Sequence, residues 1–305
     1  MTDHRLETVR IFREAGPRGR LVLDDGSRLL NLTAHLIETG QPADIVGLFE
    51  TGWFDEGELR PRLFGDEDKN WEMVEVEWDG NALPEVDTPI DRASVGKILC
   101  LGKNFRAHAE EFGEEVPAEP MFFNKLPETL VPHRTEVTIP GWYVGRVDHE
   151  AELCVVIGLE GFDIQAEDAM EHVGGYTIAN DLTARSMQGQ DRKKGHPWLR
   201  SKNLNSFCPL GPSFVPRDFL DISDLRVRAM VGSEERQNAS TRDFVVDVPS
   251  AIAWLSRHIT LRPGDLILTG TPAGVGPLED GEQVICSIDG IGDLSTTIRR
   301  PATDD

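Results

Sequence analysis

Runs of β-branched and other apolar residues, each closed by glycine or a polar residue, predict the buried strands of this chain. The clearest run ends the stretch 147–158, which finishes in valine, valine, isoleucine and glycine. Comparable runs predict strands at 97–102, 120–125 and 174–181. The final stretch, 283–298, is also β-like and contains a glycine turn. Carboxylates or a lysine lie in, or at the end of, three of these strands.

The first ninety residues have the pattern of a small accessory unit. Short strands are predicted at 8–12 and 20–23, and Thr33 is predicted to cap the amphipathic helix that follows it. The acidic stretch 64–70 predicts a solvated loop, and the proline-containing stretch 79–92 predicts a linker. The predicted units are residues 1–92, a small N-terminal domain with its linker, and residues 93–305.

Two glutamates lie in the predicted strand 147–158. Side chains alternate along a strand, so Glu150 and Glu152 face the same side with Cα atoms roughly 6–7 Å apart. Paired carboxylates beside an apolar run repel each other and are costly to bury, and a divalent cation would hold both of them ionised. An edge strand with both glutamates in water is the alternative that this stretch alone leaves open.

A third carboxylate, Asp181, ends another predicted strand and would complete a set of oxygen ligands with Glu150 and Glu152. Such donors suit Mg²⁺, Mn²⁺ or Ca²⁺ rather than zinc, which prefers histidine and cysteine. The alternative is that Asp181 caps the N-terminus of a following helix. His133 and His149 lack ligand spacing and are predicted not to bind the metal.

The helix-like segment 103–113 carries a candidate acid–base pair. His108 and Glu111 share a helix face, so the carboxylate can orient the imidazole as a general base for water. A surface contact on an acidic helix is the alternative. The charged residues at 114–117 predict a mobile lid. Lys125, at the end of a strand, is either a site residue or a solvated strand terminus.

A glycine-rich stretch at 261–278 allows its backbone to pass close to a ligand and to expose N–H groups. It is not a phosphate loop, because no Gly-Lys-Ser or Gly-Lys-Thr follows it. No dinucleotide-binding glycine fingerprint opens a helix either. The stretch therefore predicts a backbone that passes close to a ligand, and these motifs do not identify the ligand.

Composition narrows the class of partner. The formal charge of −22 over 305 residues argues against a general nucleic-acid or anionic-membrane binder, because no basic field attracts polyanions. The four cysteines form no Cys-x-x-Cys pair, which predicts reduced core thiols. The N-terminus lacks a signal-peptide pattern, and no apolar run approaches membrane-spanning length. We therefore expect a cytoplasmic protein without a nucleic-acid or membrane partner.

Separated blocks of the sequence occur in a specific order. They are Gly102-x-Asn104-Phe105-x-x-His108-x-x-Glu111, Asp148-His149-Glu150-Ala151-Glu152-Leu153, Asn180-Asp181-Leu182-Thr183-Ala184-Arg185 and Asp265-Leu266-Ile267-Leu268-Thr269-Gly270-Thr271-Pro272-Ala273-Gly274-Val275-Gly276. With this order and spacing, the chain from about residue 95 onward resembles the fumarylacetoacetate hydrolase family. It looks like the bacterial and archaeal two-domain type, related to acylpyruvases and to 2-hydroxyhepta-2,4-diene-1,7-dioate isomerase.

The resemblance implies an α+β fold, in which a mixed β-roll carries the site and a small N-terminal α+β domain precedes it. It implies that Glu150, Glu152 and Asp181 hold Mg²⁺ or Mn²⁺, with Ca²⁺ as a further candidate, and that His108 and Glu111 activate water. Family members commonly form homodimers, which we also expect here. The remaining predicted site residues are Lys202 as the active-site lysine, and Thr271, Gly270, Gln188 and Lys125 as contacts to the substrate.

Four positions depart from the usual family pattern. Phe105 stands where tyrosine is common, Ser186 replaces a frequent aspartate, and Asn205 replaces another. Lys103 occupies a position that is more often apolar or arginine. These departures bear on the identity of the substrate more than on the metal site.

The implied chemistry acts on a 2-oxo acid, whose carboxylate and ketone oxygens chelate a cation. With water activated by the histidine–glutamate pair, the reaction is hydrolysis of a C–C bond in a 2,4-dioxo acid of the acylpyruvate or fumarylpyruvate type. Without that attack, the same site would decarboxylate oxaloacetate, isomerise a dienoate or dehydrate a 2-keto-3-deoxy sugar acid. A non-catalytic binder of dicarboxylates is the alternative from a different class.

Overall fold

A computed structural model describes residues 9–16, 19–54, 71–76, 80–111, 113 and 117–301. Among these residues the strands are β1 (Arg10–Arg13), β2 (Leu21–Asp24), β3 (Leu29–Asn31), β4 (Ile98–Gly102), β5 (Met121–Lys125), β6 (Leu130–Val131), β7 (Thr135–Thr138), β8 (Val147–Asp148), β9 (Ala151–Ile157), β10 (Val173–Asn180), β11 (Thr183–Ala184), β12 (Cys208–Pro216), β13 (Arg226–Val231), β14 (Glu234–Ser240), β15 (Leu266–Leu268), β16 (Gln283–Ile288) and β17 (Gly292–Arg299). The α-helices are α1 (Leu32–Glu38), α2 (Ile45–Glu50), α3 (Arg106–Glu111), α4 (Arg185–Lys193), α5 (Leu199–Lys202) and α6 (Val248–Ser256).

The largest sheet forms the core and runs in the order β3-β2-β1-β12-β10-β9-β15-β4-β5, with β6 beside β12. Every residue of β9 and β10 is buried, in agreement with the apolar runs that predict them. β9 pairs with β10 on one side and with β15 on the other. Glu150 and Glu152 therefore do not lie on an edge strand, and the solvent-exposed alternative for them is wrong.

A second sheet, in the order β14-β13-β16-β17-β7, packs against the first. Its strand β13 alternates buried and less buried residues, with Val227, Ala229 and Val231 facing the core. A short antiparallel ladder between β8 and β11 places Asp148 opposite Thr183. This ladder joins the turn before β9 to the turn after β10, where the predicted carboxylates lie.

The N-terminal strands extend the central sheet, because β1 pairs antiparallel with β12. The cap of α1 is Asn31, whose side chain accepts a hydrogen bond from the N–H of Ala34. The prediction that Thr33 caps this helix is wrong; its hydroxyl lies inside the first turn and accepts the N–H of Leu21. The boundary between residues 1–92 and 93–305 remains a prediction.

The stretch 147–158 is not one continuous strand. β8 ends at Asp148 and β9 begins at Ala151, so Glu150 lies in the short break that precedes β9. Asp181 is not a helix cap, because α4 starts only at Arg185, after β11. The alternative structural role for Asp181 is therefore wrong.

The basic, polar stretch 188–200 belongs mostly to α4 and α5. None of the described helices is long and apolar enough to cross a membrane. The cysteines are buried and free, as predicted. The predicted loop at 64–70 and residues 114–116 of the predicted lid lie outside the described residues.

Candidate active site

Three carboxylates converge at one end of the central strands. Glu150 lies in the break just before β9, Glu152 lies at the start of β9, and Asp181 follows β10, the antiparallel neighbour of β9. Because the ladder holds Ala151 opposite Asn180, the two strand ends bring all three acidic residues together. One oxygen from each lies within 4.8 Å of the others, and all three residues are buried.

Two lysines and an arginine contact these carboxylates. Lys202 Nζ lies 2.8 Å from Glu150 Oε2 and 2.5 Å from Asp181 Oδ2. Lys125 Nζ lies 2.8 Å from Asp181 Oδ1, and Arg185 pairs with the remaining oxygen of Glu150. Glu150 and Asp181 therefore each have two positively charged neighbours.

The pKa values of Glu150 and Lys202 follow from this arrangement. Burial alone would raise the pKa of Glu150, but Lys202 and Arg185 outweigh burial and hold that pKa well below its usual range. Burial alone would lower the pKa of Lys202, but Asp181 and Glu150 outweigh it and raise that pKa. Glu150 and Lys202 are consequently both charged at neutral pH.

Glu152 differs from the other two carboxylates. No ion pair from the described part of the chain reaches it, and its Oε2 accepts the N–H of Gly270 at 2.7 Å. Burial, and then the charges of Asp181 and Glu150, raise the pKa of Glu152 well above its usual range. A divalent cation would supply the positive charge that Glu152 lacks, and three carboxylates are the donors that Mg²⁺ and Mn²⁺ prefer. The residues therefore fit such an ion.

The predicted histidine–glutamate pair lies on α3. His108 Nδ1 is 3.3 Å from Glu111 Oε2, and the N–H of Gly274 donates to both oxygens of Glu111 at 3.2 Å. Burial lowers the pKa of His108, although the charge of Glu150 opposes this shift. The imidazole is therefore mainly neutral at pH 7, which is the state of a proton acceptor.

A cavity of about 270 Å³ brings His108 together with Glu150, Glu152 and Lys202. It combines charged groups with an apolar wall, the composition expected of a small-molecule site. Its lining residues are Leu101, Gly102, Lys103, His108, Ala109, Phe123, Glu150, Glu152, Arg185, Gln188, Gly189, Arg192, Trp198, Lys202 and Thr271.

Thr271 and Gln188, two of the predicted substrate contacts, line this cavity. The Thr271 hydroxyl donates to the carbonyl oxygen of Ala151 at 3.0 Å, and Gln188 Oε1 accepts a hydrogen bond from Arg185 at 2.7 Å. Gly270 is not among the lining residues, and its N–H is directed at Glu152. Its place in the structure indicates that it orients a carboxylate.

Lys125 lies behind the carboxylates rather than at the cavity wall. Besides Asp181, its ammonium group donates to the carbonyl oxygens of Leu182 at 3.2 Å and Lys202 at 2.5 Å. An ammonium group has three hydrogens, so these acceptors use its donor capacity. The structure thus places Lys125 against Asp181 and not on the cavity wall, and its role as a substrate contact stays a prediction.

Two residues of the site were not identified from the sequence. Arg185 lies within a matching block, and its contacts with Asp148 and Glu150 show why an arginine stands there. Gln237, in the polar strand β14, is fully buried and links β9 to the glycine-rich loop. Its Oε1 accepts the N–H of Ala151 at 3.0 Å, and its Nε2 donates to the Thr271 hydroxyl at 2.7 Å. No local sequence signal distinguishes Gln237 from its exposed neighbours.

The family model described as fumarylacetoacetate (FAA) hydrolase C-terminal matches residues 97–299. The chain belongs to the fumarylacetoacetate hydrolase family. The match spans α3, all three carboxylates, Lys202 and the glycine-rich loop. The family resemblance stated from the sequence is thereby confirmed.

Similar proteins include two solved structures and one curated relative. The fumarylacetoacetate hydrolase of psychrophilic Exiguobacterium antarcticum has a TM-score of 0.80 and 28% identity, covering 96% of this chain and 100% of that one. The fumarylpyruvate hydrolase of Pseudomonas aeruginosa, solved with Mn²⁺ and pyruvate, has a TM-score of 0.65 and 32% identity, covering 74% and 100%. The oxaloacetate tautomerase YisK of Bacillus subtilis is 40% identical over 224 residues, which are 70% of this chain and 73% of that protein.

These similarities confirm the predicted α+β fold of the fumarylacetoacetate hydrolase type. Members of the family are enzymes, and they include hydrolases, isomerases and decarboxylases that act on small acids. A buried acidic triad in this chain and Mn²⁺ in a solved neighbour both support a divalent metal. The family therefore consists of enzymes, and the acidic triad of this chain fits a divalent metal.

Proposed function

We propose that the protein is a divalent-metal-dependent hydrolase that cleaves a C–C bond in a 2,4-dioxo acid of the acylpyruvate or fumarylpyruvate type. The observation that carries this proposal is that His108 lines the same cavity as Glu150 and Glu152. Glu111 contacts the His108 imidazole and orients it. Hydrolysis of such an acid needs a base for water and a cation for the 2-oxo acid group. Residues suited to both tasks line this one cavity.

Glu150, Glu152 and Asp181 would hold the ion, for which Mg²⁺ and Mn²⁺ are the candidates. When bound, such an ion supplies Lewis-acid polarisation of the 2-oxo acid group. Lys202 adds positive charge near the position where negative charge develops during cleavage. The neighbour solved with Mn²⁺ and pyruvate supports this arrangement, because pyruvate is the product expected from an acylpyruvate.

The proton steps belong to the pair on α3. His108 accepts a proton from water, and the water oxygen forms a bond to the C4 carbonyl carbon, while Glu111 stabilises the imidazolium. The C3–C4 bond then breaks, and its electron pair remains on C3 as an enolate. The proton held by His108 returns to C3. One dioxo acid and one water thus give pyruvate and one carboxylic acid.

Tautomerisation of oxaloacetate is the second candidate. It is favoured by the relatives named oxaloacetate tautomerase, including the Bacillus subtilis protein at 40% identity. This reaction needs only proton transfer between C3 and the 2-oxo oxygen, for which His108 would also be the base. The two candidates therefore share the metal site and the base, and they differ in whether water attacks a second carbonyl.

The deciding experiment follows the ultraviolet absorbance of several 2,4-dioxo acids with Mg²⁺, with Mn²⁺ and with a chelator. Oxaloacetate is assayed in parallel for keto–enol conversion and for release of carbon dioxide. Metal-dependent loss of dioxo acid, with pyruvate among the products, is the expected result. Conversion of oxaloacetate without any dioxo-acid cleavage would refute hydrolysis and favour the tautomerase or decarboxylase. Binding of these acids without turnover of any of them would favour the non-catalytic binder.

The oligomeric state is a further part of this proposal. A homodimer is expected from the family resemblance, and analytical ultracentrifugation of the purified protein measures it directly.

A further inference from the structure

The helix that carries Lys202 is tied to α4 by an ion pair outside the cavity. Arg200, on α5, contacts the carboxylate of Asp191, on α4, with Nε 2.8 Å from Oδ2 and Nη2 2.5 Å from Oδ1. Neither residue is among those that line the cavity. We propose that Asp191 and Arg200 are positioning residues, which hold Lys202 where negative charge develops on the substrate. This inference rests on the proposed function in one respect, because it takes Lys202 to stabilise that charge.

The helix α5 is too short to hold its own position. It consists of the four residues Leu199–Lys202, and a helix of about one turn is unstable by itself in water. Its N-cap residue, Trp198, makes no side-chain hydrogen bond to the first turn. The place of Lys202 therefore depends on the contacts that α5 and its flanking residues make with other elements.

A second side chain, Asn203, ties the end of α5 to the region of β5. Its Nδ2 donates to the carbonyl oxygens of Leu199 at 2.7 Å and Asn124 at 3.2 Å. Its Oδ1 accepts the N–H of Leu126 at 2.6 Å. In the sequence, Lys202 stands between Arg200 and Asn203. Loosening either support would release the turn that carries the lysine.

Glu150 is held by cations from the same two helices. Arg185, at the start of α4, pairs with one of its carboxylate oxygens, and Lys202 Nζ lies 2.8 Å from the other. The same Nζ lies 2.5 Å from Asp181 Oδ2. The Asp191–Arg200 pair thus joins the two helices at a second place, away from the acidic triad. Through that junction it affects where the ammonium group stands relative to the triad.

The ion pair has the geometry of a rigid contact. The side chain of Asp191 has no exposed surface, whereas that of Arg200 is 54% exposed. A buried carboxylate is costly unless it is paired and hydrogen-bonded, so Asp191 favours the arrangement in which Arg200 reaches it. A two-point contact between a guanidinium and a carboxylate fixes orientation as well as distance. Lysine at position 200 would keep the charge and lose the two-point geometry.

Binding of pyruvate and of oxalate to the Mn²⁺-loaded protein, followed by calorimetry, tests this inference without requiring turnover. Oxalate has the shape of the pyruvate enolate, with negative charge where pyruvate has its neutral 2-oxo oxygen. A correctly placed Lys202 stabilises that extra charge, so Arg200→Gln is expected to weaken oxalate binding by about tenfold and pyruvate binding by less than about twofold. A general loss of packing would instead weaken both probes equally.

Three comparisons separate positioning from other effects. Arg200→Lys should lose no more than about threefold in oxalate affinity, because it keeps a charged partner for Asp191. In a Lys202→Met background, adding Arg200→Gln should change oxalate affinity by less than about twofold, because the group that Arg200 positions is already gone. Arg299→Gln is the matched control and should change neither probe, since Arg299 is 45% exposed and lies 2.8 Å from Glu136 in a different sheet.

Thermal unfolding of each variant shows that it is folded. If Arg200→Gln does not fold, Asp191→Asn combined with Arg200→Gln removes the unpaired buried charge and takes the same test. An equal loss of both probes, no loss of oxalate affinity, or an undiminished loss in the Lys202→Met background would overturn the inference. Absence of binding of either probe to the parent protein would also overturn it.

The outcome is separable from the proposed function. A selective loss of oxalate affinity in a protein that cleaves no dioxo acid would refute the hydrolase and support the positioning role. Cleavage of a dioxo acid, with oxalate and pyruvate affected equally by Arg200→Gln, would do the reverse.

Discussion

Glutamine at position 152 would remove one negative charge from the acidic triad while keeping nearly the same side-chain shape. Its amide oxygen can still accept the N–H of Gly270, which donates to Glu152 Oε2 at 2.7 Å. The substitution therefore tests charge rather than packing. We expect Glu152→Gln to stabilise the protein without metal and to abolish most of the stabilisation that a divalent metal provides.

The magnitude follows from the separation of the carboxylates. The ligand oxygens of Glu150, Glu152 and Asp181 lie within 4.8 Å of one another. At an effective dielectric constant of about 20, two charges at that separation repel by roughly 3 kcal/mol. Lys202 offsets part of this repulsion. We expect the metal-free variant to gain about 2 kcal/mol in free energy of unfolding, or about 4 °C in Tm for a chain of this size.

The pH dependence of this gain has a definite sign. Burial and the neighbouring carboxylates raise the pKa of Glu152 in the folded protein. This residue therefore destabilises the metal-free fold increasingly as pH rises above its unfolded pKa of about 4.3. The gain from glutamine should shrink towards pH 4, because the folded and unfolded chains then both hold the proton.

Thermal unfolding with and without Mn²⁺ measures both effects. At a free metal concentration one hundred times Kd, the parent protein should gain about 2.7 kcal/mol, and Glu152→Gln should gain little at the same concentration. Glu160→Gln, at an exposed glutamate, is the matched control and should behave like the parent. A metal-free variant less stable than the parent, with an undiminished response to Mn²⁺, would show that Glu152 is neither strained by its neighbours nor a ligand.

Three further predictions concern α3 and the loop that contacts it. His108→Ala should lower the rate of dioxo-acid cleavage by about 10²–10⁴-fold while Mn²⁺ affinity is unchanged; an unchanged rate would remove this residue from the mechanism. Burial lowers the pKa of His108, whereas the hydrogen bond with Glu111 raises that pKa. Glu111→Gln should therefore move the acid limb of the kcat/KM profile to lower pH. A move to higher pH would show that Glu111 does not raise the pKa of His108. Gly274→Ala should lower the free energy of unfolding by at least about 2 kcal/mol, because the φ of Gly274 is +100° and a Cβ would lie 1.7 Å from the carbonyl oxygen of Arg236. Chemical denaturation measures this loss, and Gly276→Ala is the control, because its Cβ would meet only a flexible side chain at 3.1 Å.

Local sequence patterns are sufficient to predict the strands in or beside which Glu150, Glu152 and Asp181 lie. Alternation placed Glu150 and Glu152 on one face, and the apolar run after them predicted burial, which β9 confirms. The position of Asp181 at a strand end was also visible. What local reasoning could not supply was the pairing of β9 with β10, since that register depends on contacts between distant segments. The family resemblance implies that Glu150, Glu152 and Asp181 act together, but it does not give this pairing.

Long-range contacts explain the burial of two polar residues, Gln237 and Lys125, which the local sequence does not predict. Gln237 lies in a strand whose neighbours are polar and exposed, so only the packing of the second sheet on the first shows that its side chain reaches Ala151. Lys125 has the sequence context of a strand end facing solvent, yet the fold buries it against Asp181. In both cases a polar residue is buried because distant strands provide its hydrogen-bond partners.

The glycine-rich loop contacts both groups of residues that the proposed chemistry requires. The N–H of Gly270 donates to Glu152, and the N–H of Gly274 donates to Glu111, so a single short segment contacts both the acidic triad and the histidine–glutamate pair. Between them, Thr271 is held by Gln237. Small displacements of reacting groups can lower rates about 10²-fold. A loop bonded to both groups would fix their separation, and its glycines would then have a positional role in the proposed chemistry without any side chain of their own.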